Sequence, residues 1–369
     1  MTTTPSDNST PSLWPHRLAV LLACATFPVI WVGGLVTTYD AGMSFPDWPT
    51  SYGYNVFLYP WQTWLSGPWN MFIEHGHRLL VAGIVGPVTI ALTVLVFRNE
   101  RRLWVRRLTW AAAVLVVLQA VLGGIRVVLD QRLLAQIHAC VGPAFFALTC
   151  VLATVTSRRW HMGRHAEPSR ASDGPAARPT DFGTAGNAHP TTKFARLATT
   201  TAAMAYIQLV IGSQLRHMQV TSNATLFRVA VWFHLLVAAA LAAHVVLLWC
   251  KSLRAAADDS WLRRPTNLLT ALLGLQIALG CGAWVVNYGW PAWLSGYALT
   301  AGYVVQRDSF LQATLTTGHV ATGSLILAVS AVLAVRAWRA AGQAKIENPK
   351  SKISVAARSA PPSALEALA

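Results

Sequence analysis

Charge is scarce in this sequence. Asp, Glu, Lys and Arg make up 12% of 369 residues, against 54% hydrophobic, and the mean hydropathy is +0.43. Soluble domains carry about 25% charged residues, so the composition excludes one. Acidic residues are fewest, 14 against 29 Lys and Arg, for a net charge of +15. In a soluble chain that excess would point to nucleic acid. Here apolar runs of about 20 residues recur, and the excess reads as basic loops beside a lipid bilayer, with no nucleic-acid partner. Cysteine is also sparse. Cys24, Cys140, Cys150, Cys250 and Cys281 lie in or at the ends of apolar runs and form no CxxC, which argues against a disulfide framework or a zinc site. The first 16 residues are polar, with Asp7 and no Arg. They resemble neither a signal nor a transit peptide, so the first span is expected to be an uncleaved anchor.

Eight spans are predicted: 18–38, 71–97, 108–128, 133–155, 195–215, 229–250, 267–287 and 310–335. Helix is the default, because a chain in lipid must satisfy its own backbone polar groups. The expected fold is an all-α integral membrane protein, its eight transmembrane helices forming two pseudo-twofold-related four-helix bundles. The N-terminal bundle covers 18–155 and the C-terminal one 195–338. Segment 156–194, rich in Ser, Pro, Gly, Ala and Arg, reads as a flexible linker. Residues 1–17 and 339–369 read as tails, the second disordered. With the N-terminus inside, 23 Lys and Arg fall on cytoplasmic segments and 6 on the outer side, which places both termini in the cytoplasm. Trp61, Trp64, Trp69, Trp104, Trp290 and Trp293 sit near span ends, as interfacial anchors do.

The halves read as repeats. Gln119, Gln208 and Gln276 each precede a glycine by four residues (Gly123, Gly212, Gly280) near the outer end of an odd-numbered span; span one keeps only Gly33-Gly34. These motifs read as helix packing. Each even-numbered span carries a histidine: His77, His138, His234 and His319. All four lie about 8–14 Å below the outer end, at 1.5 Å rise per residue. A lone histidine in a span can simply hydrogen-bond a neighbouring helix. Four at matching positions point instead to metal or haem ligation, pairing His77 with His138 and His234 with His319. Arg78, Arg126 and Arg216 lie near that surface and suit haem propionates. His75 and His244 fall outside the repeat and read as packing or outer-pocket residues. His217 reads as interfacial, and His16, His161, His165 and His189 as solvated.

The stretch Glu74-His75-Gly76-His77-Arg78 heads span two. Glu74 shares a helix face with His77, three residues on, and can orient a ligand, move a proton or bind substrate. It can equally form an ion pair with Arg78 at i+4. Residue spacing leaves both open.

Glu74-x-x-His77-Arg78 resembles the E-x-x-H-R signature of haem A synthases. Ala41-Gly42-Met43-Ser44-Phe45-Pro46-Asp47-Trp48-Pro49 resembles that family's first outer-loop motif. Gln136-Ile137-His138-Ala139, Phe233-His234 and Gly318-His319 resemble its other histidine sites. The resemblance covers roughly 18–338. It implies an enzyme that oxidises the C8 methyl of haem O to a formyl group, giving haem A for terminal oxidases. It further implies that His234 and His319 ligate haem b, that His77 and His138 face the substrate haem O, and that Glu74 is catalytically important. The implied setting is the bacterial cytoplasmic (inner) membrane, with a haem O synthase and an electron donor as partners; homo-oligomerisation is left open. Many bacterial members carry a Cys pair in the first outer loop. Here 39–70 and 288–309 contain none, which excludes a thiol role in those loops and aligns the chain with the Cys-free branch.

Two rivals use the same histidines. A bis-histidine b-type cytochrome would carry electrons from a quinol and hold two permanent haems. A proton- or metal-coupled transporter would place its polar residues nearer the midplane.

Overall fold

The computed structural model describes residues 12–162, 192–218, 223–254, 260–294, 296–298 and 300–347. Among them there is no strand beyond an isolated bridge between Ser51 and Tyr54, and eight helices are long and apolar enough to cross a membrane. They are α1 (Trp14–Thr38), α2 (Trp69–Asn99), α3 (Leu103–Leu129), α4 (Arg132–Val155), α5 (Thr192–His217), α6 (Ala224–Arg254), α7 (Ser260–Tyr288) and α8 (Phe310–Glu347). Each predicted span falls inside one of these helices, which extend past the apolar run because backbone hydrogen bonding continues into the interface. α8 runs furthest, to Glu347, so the expected disordered tail 339–369 begins as helix. The expected linker 156–194 likewise opens with a short helix, Arg158–Met162, and closes in the first turn of α5. Segments 1–11, 163–191 and 348–369 of the expected tails and linker lie outside the described residues.

Local sequence sets the helix ends. α1 and α3 both close on an aspartate in the left-handed region, Asp40 (φ 49°) and Asp130 (φ 47°), a conformation that Asp tolerates better than bulkier residues. The following N–H reaches back over five residues, Ala41 to Val36 O at 2.8 Å and Gln131 to Arg126 O at 3.3 Å, and closes the last turn. In α2 the α-helical ladder widens to a π turn at Val81–Val85. Pro87 supplies the reason: it has no N–H, and its ring presses on the carbonyl four residues back. Buried threonines at Thr26, Thr89, Thr109, Thr201 and Thr266 return their hydroxyls to the carbonyl four residues earlier, at 2.6–2.9 Å. No polar group of theirs is then left facing lipid.

Each half builds an apolar core. Leu22, Leu92, Val96, Val105, Leu152 and Val155 pack in the first. Ala198, Val245, Leu248, Leu269, Leu333 and Ala337 pack in the second, to which α4 contributes Phe146 and Ala147. The halves meet where α1 and α4 pack on α8 and α4 packs on α5. α8 stands at this seam: 56% of its apolar window is buried, against 17% for α6. At one end of the seam Arg216 donates to Gly34 O (2.7 Å) and to the Thr38 hydroxyl, which also meets Thr317 Oγ1 at 3.3 Å. At the other end Arg339 stacks on Trp160 and Arg159 on Trp261, at 4.2 and 4.6 Å from the ring centres.

A methyl added at Gly34 would lie 2.7 Å from Thr317 Cγ2. Gly34→Ala is therefore expected to destabilise the seam by about 1–3 kcal/mol, read as a lower Tm in detergent. Thr317→Ser, which removes that methyl, should recover part of the loss in the double variant.

Candidate functional site

The four span histidines repeat one contact. Each imidazole rests its Cε1 edge on a glycine of the preceding helix: His77 on Gly33, His138 on Gly123, His234 on Gly212 and His319 on Gly280. A Cβ at those glycines would lie 2.9, 3.1, 3.2 and 2.9 Å from Cε1. Glycine is needed because the ring occupies the space a side chain would take. The residue four before each glycine then meets the ring or its backbone. His138 Nδ1 donates to Gln119 O at 3.1 Å, and Gln119 Nε2 donates to His138 O at 3.1 Å. His319 Nδ1 donates to Gln276 O at 3.2 Å. Gln208 Nε2 donates to His234 O and lies 3.1 Å from both ring nitrogens. The Gln-x-x-x-Gly motifs, read from sequence as packing alone, are thus the seats of the histidines. The signal was present as a matching four-residue spacing, but the register between helices that gives it meaning was not.

A carbonyl oxygen can only accept. In His138 and His319 the proton therefore sits on Nδ1 and Nε2 keeps its lone pair, the state a metal-binding imidazole needs. His234 and His319 lie edge to ring, with centroids 6.4 Å apart and planes inclined at 62°. An iron held by one nitrogen of each ring at about 2 Å would separate the centroids by about 6–6.5 Å, so the pair fits a metal between them. Among the described residues no group of three or more His, Cys, Asp or Glu is placed to hold a metal ion. A metal held by this pair must bring its remaining ligands with it, as haem iron does. His77 and His138 also lie within electrostatic reach of each other, with Arg126 facing both.

Glu74 is buried, 4% exposed. Its Oε1 pairs with Arg78 Nη2 at 2.8 Å, and its Oε2 accepts the Phe45 N–H at 3.1 Å. Arg78 donates in addition to Asp47 O (2.9 Å), Thr50 O (2.8 Å) and Phe45 O (3.3 Å). The expected i, i+4 ion pair is present, and both terminal nitrogens of Arg78 are committed to the first outer loop. Sequence could not reveal this, because the acceptors are backbone carbonyls. Arg126 reaches Gly42 O with a longer bond, 3.4 Å. Trp48 from the same loop packs directly over Gly124, the neighbour of the His138 seat. The 39–70 loop therefore lies across the near end of the N-terminal histidine pair.

Other expectations resolve individually. His75 is buried 5.0–5.5 Å from the rings of Phe45, Tyr59 and Trp64, with Ser51 Oγ at 3.3 Å, a packing role. His217 is half-buried and bonds Ser213 O at 2.9 Å. His16, expected to be solvated, instead meets Ala153 O at 2.9 Å, and His161 meets Ser157 O at 3.0 Å. His165 and His189 lie outside the described residues. The five cysteines are all unpaired.

A family model described as cytochrome oxidase assembly protein (COX15-CtaA) matches residues 16–305. The match includes Glu74, His77, His138 and His234 and ends before His319. No curated protein matches the chain.

Two predictions follow from this geometry. Gly280→Ala would set a methyl 2.9 Å from His319 Cε1, whereas a methyl at Gly274 meets nothing within 4 Å. The first variant is expected to lose about 1–3 kcal/mol of stability, read as a lower Tm in detergent, and the second to match the parent. Asp47 lies in the 39–70 loop, where it accepts hydrogen bonds from Tyr52 N and Gly53 N. Burial raises its pKa, but hydrogen bonds from the Gly53 backbone, the Thr50 side chain and the Tyr52 backbone outweigh burial and hold it below the usual carboxylate range. Its stabilising contribution is complete above about pH 4 and is lost as pH falls through the folded-state value. Proteolysis within 39–70 should therefore accelerate on acidification below that range, and Asp47→Asn should remove the step.

Proposed function

The chain belongs to the COX15-CtaA family of cytochrome oxidase assembly proteins, and from that membership we propose that it is a haem A synthase. Its substrate is haem O, whose C8 methyl is oxidised through alcohol and hydrated-aldehyde stages to the formyl group of haem A. The observation that carries the reading is the 6.4 Å separation of the His234 and His319 rings, which suits a resident haem b. When bound, that haem supplies the redox chemistry that an inert C–H bond requires.

The protein's own residues bind and enclose the substrate. His77 and His138 bracket haem O in the N-terminal half. Arg126, whose bond to Gly42 O is long at 3.4 Å, retains donors for a propionate, and Arg216 serves the same purpose at the seam. Glu74 holds Arg78 and the Phe45 N–H and so keeps the outer loop closed over the site, where it excludes water from the substrate. Both termini lie in the cytoplasm of a bacterium, the sites face the outer side of the inner membrane, and a haem O synthase and an electron donor act with it.

Haem extraction and mass analysis of protein purified from cells that make haem O is the first test. Haem b together with haem O, haem A or a hydroxylated intermediate is expected. Haem b alone, in two equivalents, would instead identify a bis-histidine electron carrier. In the same cells Glu74→Ala should lower haem A by on the order of tenfold to a hundredfold, the scale of a lost substrate-positioning contact. Full haem A production by that variant would remove Glu74 from the mechanism.

A further inference from the structure

One of the four histidines is seated differently. At His138, His234 and His319 the residue four before the glycine is Gln119, Gln208 or Gln276, and the residue four after the histidine is small: Gly142, Ala238 or Gly323. Size matters there because the glutamine amide lies over that position. A Cβ at Gly142 would sit 2.9 Å from Gln119 Nε2, and one at Gly323 3.4 Å from Gln276 Nε2. At His77 the corresponding residues are Val29 and Val81. Neither side chain can donate or accept. His77 Nδ1 is buried without a hydrogen-bond partner, and the Val29 carbonyl faces it outside normal hydrogen-bond geometry.

A second observation, independent of the first, falls on the same residue. The π turn at Val81–Val85 begins four residues after His77, where two of the other three seats have a glycine and the third an alanine. π turns interrupt the regular ladder and recur at functional sites. His77 is therefore the histidine without an amide lock, and the one followed by a π turn; α4 is also interrupted beside His138, by Pro143, but stays α-helical there.

We propose that His77 is the exchangeable axial position of the N-terminal site, and that His138 is the fixed one. A haem in that half is anchored through His138, and its His77 face opens and closes to admit substrate and release product. The C-terminal pair, with Gln208 and Gln276 both in place, holds its haem permanently. This inference rests on the two-haem reading above and adds which ligand lets go. At His138 and His319 the Nδ1 proton is held by the main-chain carbonyl of Gln119 or Gln276, while the glutamine amides of Gln119 and Gln208 fix the histidine's own backbone carbonyl. A ring so held is oriented and more basic as a ligand, and His77 has neither contact.

The test measures haem transfer from the purified, haem-loaded full-length protein to apomyoglobin, together with carbon monoxide binding to the reduced protein. The parent is expected to release haem in a fast and a slow phase and to bind carbon monoxide at one haem. Val29→Gln with Val81→Gly installs the missing lock and the room for it. It should slow the fast phase by about three- to tenfold, the effect of one added hydrogen bond, abolish most carbon monoxide binding and leave the slow phase unchanged. Gln119→Val removes the lock from His138 and should accelerate the fast phase, which keeps the question answerable if the double variant fails to assemble. Two phases in the parent, with neither variant altering the fast one, would overturn this inference and leave the two-haem reading intact. A single phase in the parent would overturn both.

Discussion

A hydrocarbon interior offers no water to a polar side chain, and the architecture answers to that constraint. Each of the four matched histidines is seated by protein, and the seat is a glycine on the preceding helix with, in three cases, a glutamine one turn away. The requirement propagates outward. Glycine at Gly33, Gly123, Gly212 and Gly280 brings each odd helix within ring thickness of its even partner. That approach fixes the depth of the histidines and the lateral spacing of each pair, so a polar need sets the packing distance of an apolar bundle.

The first outer loop obeys the same logic at the interface. Its carbonyls at Phe45, Asp47 and Thr50 converge on the Arg78 guanidinium, whose charge is balanced by Glu74. Asp47 in turn accepts the N–H groups of Tyr52 and Gly53 at 2.7 and 2.8 Å. One ion pair at the head of α2 thus organises a segment with almost no regular structure, and does so one turn above His77.

How much of this could be read from the residues depends on the range of the interaction. The eight helices were legible, because spanning lipid demands a long apolar run that cannot be disguised. The matched histidines were legible as a periodic pattern, and the Glu74–Arg78 pair as an i, i+4 spacing. The partnership of Gln119 with His138 was not, although both residues were singled out, because it needs the register between two helices. The attachment of Arg78 to loop carbonyls was invisible for a different reason: any residue supplies a carbonyl. The continuation of α8 to Glu347 was missed because hydropathy falls there while helix propensity, in a run rich in Ala, Arg, Lys and Gln, does not.

The enclosure of α8 has a consequence in time. This helix is made after the other seven, yet it is the most buried of the eight and packs against α1, α4, α5 and α7. Until it enters the membrane, the place at the centre of the assembly is empty and the pair to His234 does not exist, since His319 rides on α8. The C-terminal pair is therefore completed only when α8 joins the seven helices made before it. Chains cut short ahead of α8 carry His234 without its partner ring.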